Sequence, residues 1–371
     1  MGEYGEPRSS TDDLVQEERT PVTGAPRSGA AIADVLGRSG VYVDPVWRIA
    51  VTLTPLEQEL LRTRWVRRLA FVAHAGASTI ATTQSYSRLE HSLGLLALVA
   101  HFAPDHRAAR VTALLHDIGH LPFSHTLEGL AGLEHHELGR ARIRDLSAVL
   151  GRGGIDDGEV LAIDRGERPS VLHNAEGVLR LDHLESFVRS GRSHGRTTEP
   201  PPTTLRHLRV VDGGVDTDPR TAAYLGDLVV AEAVAHLSEP NVVANAVLRR
   251  LVATLIEDAS PERVLGLAEL TDDLLWAALL GDPRTAALAQ DLRDDPTRWE
   301  TARRGTDGPP EPGALSHTVH RLYLDLPRID GKRQHVHRPA ALSTPIEHVV
   351  RRRDRLRRGP APGPHRPRWN R

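Results

Sequence analysis

The chain has 371 residues, which is enough for one large domain or two smaller domains, each with a proper core. It contains no cysteine, and this excludes disulfides, thiolate zinc sites and cysteine nucleophiles. The net charge of -2 argues neither for nor against nucleic acid as a partner, and a hydrophobic content of 39% is typical of a soluble globular protein.

The first 40 residues are rich in Gly, Pro, Ser, Thr and charge, and we predict that this segment is disordered. Its first 20 residues mix both charges without an apolar run, so we do not expect a signal peptide. The longest apolar runs elsewhere fall short of the roughly 20 residues that cross a bilayer. We therefore expect a cytoplasmic protein that has no membrane contact.

Helical patterns dominate residues 41–281, which we interpret as one domain. "VYVDPVWRIAVTL" predicts a short strand or hairpin, and "TPLEQELLRTRWVRRLAFVAHAG" predicts a helix that Thr54 caps, with Pro55 and Glu57 in its first turn. "RHLRVVDGGVDTDP" predicts a hairpin that turns at Asp212. The predicted fold class is mainly α, with a few short β-hairpins, because the strands are too sparse for an α/β sheet.

The C-terminal part divides into an extension and a tail. In residues 282–350 the helical pattern of apolar residues is weaker, and "RLYLDLPRIDGKRQHVHR" predicts a second small hairpin. Residues 351–371 are basic and rich in proline, and we predict a disordered tail. Such a tail can bind nucleic acid weakly, with an affinity that falls steeply with salt.

Histidines are concentrated in one part of the chain, where eight of the 20 lie between His91 and His136. "LLHDIGHLPFSH" places three of them, with an aspartate, in a stretch that otherwise reads as helix core. A buried ionisable group costs free energy unless it is paired or bound to a metal. A single histidine of this kind is more often a satisfied core or surface group, but the joint arrangement favours a site.

These residues predict a metal site. Adjacent His116 and Asp117 can chelate one cation, and His120 lies at the i+4 position on the same face of the predicted helix. His91 begins a separate apolar helix and can meet His116 across a helix contact, while Asp182 in "RLDHLESF" offers a second carboxylate. Two imidazoles and two carboxylates suit one divalent ion, such as manganese, iron or magnesium, with open positions for water and substrate.

Four segments carry a resemblance to a known family. "YSRLEHSLG", "LLHDIGHLPFSHTLE", "HHELG" and "LRLDHLESFVRS" resemble, in this order and spacing, the HD-domain phosphohydrolases, and above all the branch of dGTPases and deoxynucleoside triphosphate triphosphohydrolases. The likeness covers roughly residues 41–281. It implies an HD-domain helical core, a metal-dependent phosphohydrolase that acts on a nucleotide, and possible assembly into a homo-oligomer.

The resemblance also implies roles for individual residues. The implied metal ligands are His91, His116, Asp117 and Asp182. The implied catalytic residues are His120, Glu128, which would orient His120, and His136, which would lie near the reacting phosphate. The implied phosphate-binding residues are Arg88 and Arg189. From the residues alone, a solvated arginine at a helix start is the favoured interpretation of Arg88, whereas for Glu128 an ordinary surface carboxylate is as good an interpretation as a catalytic one.

Departures from the family pattern leave the substrate open. The last motif usually reads Asp-Arg-Leu-Asp-Tyr, whereas here Ser186 replaces the tyrosine that helps to hold phosphates and sugar, and Ser190 replaces a later aspartate. No metal ligand is lost. The chain could therefore hydrolyse a nucleoside triphosphate, or dephosphorylate a nucleoside monophosphate or another phosphorylated metabolite. It could also be a nucleotide-sensing HD protein with weak turnover, or a protein that acts on nucleic acid.

Overall fold

Most of the chain is helical, as predicted. The computed structural model describes residues 34–174, 177–303, 313–334 and 345–353, all within one structural unit that spans Ala33–Arg371. Helices far outnumber strands over these residues, and the strands are short. Within the described residues, no helix is both long enough and apolar enough to cross a membrane.

The first elements follow the predicted order. The strands β1 (Val41–Val43) and β2 (Ala50–Thr52) form an antiparallel hairpin. The predicted capping box at Thr54 then starts a helix, but this helix is broken in two, as α1 (Pro55–Leu60) and α2 (Arg64–Arg68). The break lies at Thr63, where the backbone is extended and the hydroxyl donates to the carbonyl of Leu60.

The central part of the chain is a helical bundle with one hairpin. Its helices are α3 (Arg88–Phe102), α4 (Arg107–Leu115), α5 (His135–Asp145), α6 (Ser147–Arg152), α7 (Asp157–Asp164), α8 (Leu181–Ser193) and α9 (Pro201–Leu205). Helix α3 is buried on nearly every side between Leu89 and Val99, so it forms the centre of the main hydrophobic core. Helices α4 and α8 pack directly against it.

The predicted hairpin at Asp212 is confirmed. Strands β3 (Arg209–Val211) and β4 (Gly214–Thr217) pair antiparallel through a two-residue turn. Both central residues, Asp212 and Gly213, have positive φ values of 47° and 69°, as a tight hairpin turn with the right-handed twist of its strands requires.

A second core lies around the later helices. These follow α10 (Pro219–His236), which packs in the main core, and they are α11 (Glu239–Leu255), α12 (Pro261–Leu267), α13 (Asp272–Gly281) and α14 (Ala286–Asp294). Helix α11 is the centre of this core, which also takes in the apolar side chains of the segment that follows the predicted metal site, Leu121, Phe123 and Leu127. The second core therefore supports the loop that carries the predicted catalytic residues.

The C-terminal extension differs from the prediction. The remaining strands are β5 (Trp299–Arg303), β6 (Leu315–Val319), β7 (Arg328–Ile329) and β8 (Ile346–Arg352). Strand β7 pairs parallel with β4. Ile329 and Lys332 then form an antiparallel bridge across the two-residue turn at Asp330 and Gly331, so the described part of the second predicted hairpin contains a single tight turn, and its residues 335–338 lie outside the described residues. Strands β5, β8 and β6 instead form an antiparallel sheet in that order.

Both ends of the described chain extend past the predicted boundaries. Strand β8 runs to Arg352, and Arg351 pairs with Glu300, so the first residues of the predicted tail belong to the sheet. Residues 34–40, predicted as part of the N-terminal segment, include hydrogen-bonded turns. The rest of the two predicted disordered segments, residues 1–33 and 354–371, lies outside the described residues.

Gly119 provides a test of how closely the bundle packs. A Cβ at this position would lie 1.9 Å from the carbonyl oxygen of His135 and 2.4 Å from the amide nitrogen of Gly139. Both clashes are with backbone, so Gly119→Ala must push α5 away. We expect this variant to lower the free energy of unfolding by about 1–3 kcal/mol, as overpacking usually does.

Urea unfolding of Gly119→Ala beside Gly139→Ala measures this effect with a matched control. A Cβ at Gly139 would have only ordinary contacts, at 3.6 Å from Gly119, and it sits in a helix where alanine is favourable. Equal stability of the two variants would contradict the close packing of Gly119 against the backbone of α5.

Candidate metal centre

His91 lies in the first turn of α3, with only 1% of its surface exposed. Ser87 and Glu90 form a capping box, in which each side chain accepts the backbone N–H of the other residue. This cap determines where the helix begins and so places His91 deep in the bundle, beside α8.

The His116-Asp117 pair lies just past the end of α4. The helix ends at Leu115, His116 is its C-cap, and the amide of His120 donates to the carbonyl of Asp117 at 3.0 Å. The prediction that His116 and His120 share one helical face is therefore wrong, because the chain turns after Asp117. The turn still brings both rings to Asp117, whose Oδ1 lies 3.3 Å from Nε2 of His116 and 3.0 Å from Nε2 of His120.

Asp182, the second residue of α8, completes the cluster. Its Oδ1 lies 3.1 Å from Nε2 of His91 and 3.8 Å from Nε2 of His116, and the two Nε2 atoms are 3.3 Å apart. Donor atoms of these three residues all lie within 4.8 Å of one another. Asp117 borders the same space, with Oδ2 3.9 Å from Nε2 of His91. The four predicted ligands are thus brought together.

A cation fits this cluster because two lone pairs point into it. Nδ1 of His91 lies 2.5 Å from Oε2 of Glu185, and Nδ1 of His116 lies 2.8 Å from the carbonyl oxygen of Ala113. Both partners only accept hydrogen bonds, so each Nδ1 carries a proton. A neutral imidazole protonated at Nδ1 presents a lone pair at Nε2, which is the form that binds a metal.

The electrostatics of the cluster also favour a cation. Burial alone would lower the pKa of His91, but hydrogen bonds to the carboxylates of Asp182 and Glu185 raise it to about 9, so without a metal Nε2 carries a second proton, which a divalent cation would displace. Burial would raise the pKa of Asp117, but Arg88 and the neighbouring histidines hold it well below its usual range. The hydrogen bond to His91 and the neighbouring histidines likewise hold the pKa of Asp182 well below its usual range, so both aspartates are ionised and attract positive charge to the imidazoles.

Glu185 begins a buried chain of alternating charges behind His91. Its Oε1 accepts a hydrogen bond from Nε of Arg189 at 2.6 Å, and Nη2 of Arg189 donates to Oδ2 of Asp44 at 3.0 Å. The Tyr42 hydroxyl donates to the same oxygen of Asp44. This corrects the predicted phosphate contact of Arg189: the residue is 4% exposed, and it neutralises two carboxylates on the far side of Glu185 from His91.

Arg88 holds Asp117 from the other side. Its Nη1 donates to Oδ2 of Asp117 at 2.9 Å, its Nε to Oγ of Ser124 at 2.9 Å, and its Nη2 to the carbonyl of His74 at 3.1 Å. The guanidinium is therefore tied to the protein through all three nitrogens, and it fixes the orientation of a predicted metal ligand. Its predicted contact with phosphate stays a prediction.

A second group of histidines lies beside the first. His120 stacks on His135 with ring centroids 4.4 Å apart, and His125 approaches both rings edge-on. Burial, with a contribution from Arg88, lowers the pKa of His120 well below its usual range, so this imidazole is neutral at pH 7. Its Nε2 donates to Asp117, while its buried Nδ1 has no hydrogen-bond partner among the described residues.

The carboxylate of Glu128 is paired differently from the prediction. It accepts hydrogen bonds from Nδ1 of His135 at 2.7 Å and from the backbone amide of the same residue at 3.0 Å, so it orients His135 rather than His120. His136, predicted to lie near the phosphate, is exposed beside the ring of His135. The adjacent histidines in "HHELG" predicted one histidine near the site. In the structure the first of them, His135, lies beside His120 and Glu128, and the second does not.

Glu185→Gln tests the support of His91. The amide can still accept from Nδ1, but it lacks the charge that favours a cation at Nε2. We expect divalent-metal affinity to fall about ten- to a hundredfold, as when other partners of a ligating histidine are changed. Titration of the apo-protein with manganese and iron measures this.

Asp117→Ala, which removes a predicted ligand, serves as the reference for lost binding, and Glu137→Gln, at an exposed site on α5, is the neutral control. Unchanged affinity of folded Glu185→Gln would show that this carboxylate does not act on the metal site.

Comparisons with known proteins agree with this geometry. Residues 88–188 match the HD domain family. The chain is 35% identical over 102 residues to an uncharacterised protein of Methanocaldococcus jannaschii and 31% identical over 121 residues to Bacillus subtilis YwfO. These alignments cover 26% and 29% of this chain, and only 22% and 28% of the relatives. The metal-dependent phosphohydrolase cns2 of Cordyceps militaris is 25% identical over 294 residues, which cover 73% of this chain and 79% of that protein.

Two solved structures share the fold. A phosphohydrolase from Bacteroides thetaiotaomicron superposes with a TM-score of 0.63 at 16% identity, covering 84% of this chain and 98% of that one. A hypothetical protein from Aquifex aeolicus gives a TM-score of 0.62, also at 16% identity, covering 84% and 95%. Residues 88–188 of this chain therefore match the HD domain model, and the chain shares the mainly helical fold of these two solved structures.

Proposed function

We propose that the protein is a metal-dependent phosphohydrolase. The observation that carries this proposal is the convergence of His91, His116 and Asp182 within 4.8 Å, with Asp117 at the edge of the same space. Two imidazoles and two carboxylates without thiolates match a divalent ion that keeps open positions. The likeness to the Cordyceps militaris phosphohydrolase supports the same class of reaction.

The side chains around the ligands supply the remaining needs of phosphate-ester hydrolysis. A divalent ion held by His91, His116, Asp117 and Asp182 would acidify water and stabilise charge on phosphoryl oxygens. His120 is neutral, and its Nδ1 lone pair has no partner among the described residues, so Nδ1 is the atom at which this ring would accept a proton during turnover. Glu128 accepts a hydrogen bond from Nδ1 of His135 and so fixes the orientation of that ring, which stacks on His120.

The substrate we propose is a nucleotide, and the charges near the site favour a phosphomonoester over a triphosphate. Hydrolysis of a triphosphate needs several cations to bind its phosphates, but the two arginines predicted for this role pair with carboxylates, Arg88 with Asp117 and Arg189 with Glu185. Ser186 also lacks the phenol that helps to hold the triphosphate in the resembled branch. The triphosphohydrolase activity, like assembly into an oligomer and nucleic-acid binding by the tail, stays a prediction.

A product-resolved screen tests the reaction and its substrate together. The purified chain, with manganese, iron or magnesium, is incubated with nucleoside mono- and triphosphates and with simple phosphomonoesters. Phosphate, pyrophosphate and triphosphate are followed separately. We expect metal-dependent release of phosphate. Release of triphosphate would support the triphosphohydrolase instead, and no release from any substrate would favour a nucleotide sensor.

His120 distinguishes an enzyme from a sensor. We expect His120→Ala to keep its metal and lose turnover by about a hundred- to ten-thousandfold, the usual contribution of general acid–base catalysis. His120→Gln, which can still donate to Asp117 but cannot take up a proton, should lose a similar amount. Steady-state rates and metal content of both variants are compared with those of His101→Gln, an exposed histidine on α3. Wild-type turnover in either His120 variant would refute the assignment.

A further inference from the structure

Arg180 lies at the edge of the metal cluster, immediately before α8 and two residues before Asp182. Its Nη2 is 3.9 Å from Oδ2 of Asp182, and 26% of its side chain is exposed. The guanidinium is therefore both close to the cluster and open to solvent. Neither the sequence motifs nor the reaction proposed above gives this residue a role.

Two imidazoles hold the guanidinium in place. Nη2 of Arg180 donates to Nε2 of His183 at 2.9 Å, and Nη1 lies 3.4 Å from Nδ1 of His173. A guanidinium only donates hydrogen bonds, so in both contacts the imidazole nitrogen is the acceptor. Burial, together with the charge of Arg180, lowers the pKa of His173, which keeps that ring neutral.

These two imidazole contacts position Arg180 without neutralising its positive charge. Arg88 and Arg189 each donate to a carboxylate, at 2.9 and 2.6 Å. By contrast, Arg180 pairs with the carboxylate of Asp182 only at 3.9 Å, which is beyond hydrogen-bond distance. Asp182 is also a predicted metal ligand, so a bound metal would neutralise part of its negative charge and leave less of that charge to pair with Arg180. Among the three arginines, Arg180 is the one whose direct partners are uncharged.

The C-terminal extension supports the anchor. Tyr323 packs edge-on against His183 with ring centroids 4.6 Å apart, and Oδ2 of Asp325 lies 3.5 Å from Nδ1 of the same ring. A carboxylate on this side favours the proton on Nδ1, which leaves Nε2 to accept from Arg180. The backbone of Leu326 accepts from the amide of Leu179 at 3.0 Å and fixes the extension here.

We propose that Arg180 binds an anionic oxygen of the substrate's phosphoryl group, as the specificity residue that the sequence motifs do not mark. A guanidinium can donate two parallel hydrogen bonds to phosphate, and one that is already positioned loses little conformational entropy on binding. This proposal rests on the proposed function, since the phosphoryl group must sit at the metal cluster for Arg180 to reach it.

Inorganic phosphate, the expected product, is the probe for this contact. Its dissociation constant is measured by calorimetry on the metal-loaded full chain, for the wild type, Arg180→Gln, Arg180→Lys and Arg192→Gln. Arg192 is exposed on α8 and serves as the control. We expect Arg180→Gln to weaken phosphate binding about ten- to a hundredfold, the usual effect of losing a hydrogen bond to a charged group. Arg180→Lys should recover part of the affinity.

Metal content and KM separate substrate binding from a structural role. Arg180→Gln should keep its metal and raise KM for the phosphomonoester by a similar factor, with a smaller effect on kcat. Unchanged phosphate affinity, loss of metal from Arg180→Gln, or no phosphate binding by the wild type would each overturn the proposal. Because the calorimetry needs no turnover, a chain that binds phosphate through Arg180 but hydrolyses no ester would refute the proposed reaction alone.

Discussion

Two imidazole nitrogens, Nε2 of His91 and Nε2 of His116, face each other at 3.3 Å, and this is the constraint on which the rest of the site depends. His91 and His116 come from separate helices, and each has its other nitrogen engaged by an acceptor, the carboxylate of Glu185 or the carbonyl of Ala113. With neither Nε2 protonated, the two lone pairs and the carboxylate of Asp182 would repel one another, and a proton on His91 or a metal ion between the groups relieves this repulsion. The fold thus maintains an arrangement that only positive charge can stabilise, which is the basis for assigning a metal site.

The arginines around the site divide according to their partners. Arg88 and Arg189 are buried and pair with carboxylates, so they stabilise the ionised groups that orient the ligands. A buried pair of this kind adds little net stability, but removing one partner leaves an uncompensated charge, which keeps the arrangement in place. Arg180 instead binds neutral rings at the solvent-facing edge, where a substrate can reach it.

Much of the fold and the ligand set could be predicted because the signals are local. The turn at Asp212 needs two residues with positive φ, and the cap at Thr54 needs a hydroxyl three residues before Glu57. The four predicted ligands were identified from a dense group of histidines and from motif order, and the fold brings them together. The end of α4 at Leu115 was missed because the close approach of Gly119 to α5 depends on a partner that comes 20 residues later.

The errors in the site and in the C-terminal part arose from contacts distant in sequence. Glu185 reaches His91 across 94 residues, and Arg189 reaches Asp44 across 145, so neither role has a local pattern. The choice of His135 over His136 depends on where α5 begins, which sequence patterns locate poorly. The sheet of β5, β8 and β6 joins strands without a short turn between them, so no hairpin signal marks it.

The measurement that tests the central claim most directly is anomalous X-ray diffraction from crystals of the chain grown with manganese. An anomalous peak locates the ion without reference to activity. We predict one strong peak per chain, between Nε2 of His91, Nε2 of His116 and the carboxylates of Asp117 and Asp182. A peak found only among His120, His125 and His135, or the absence of any peak at saturating manganese, would contradict the account.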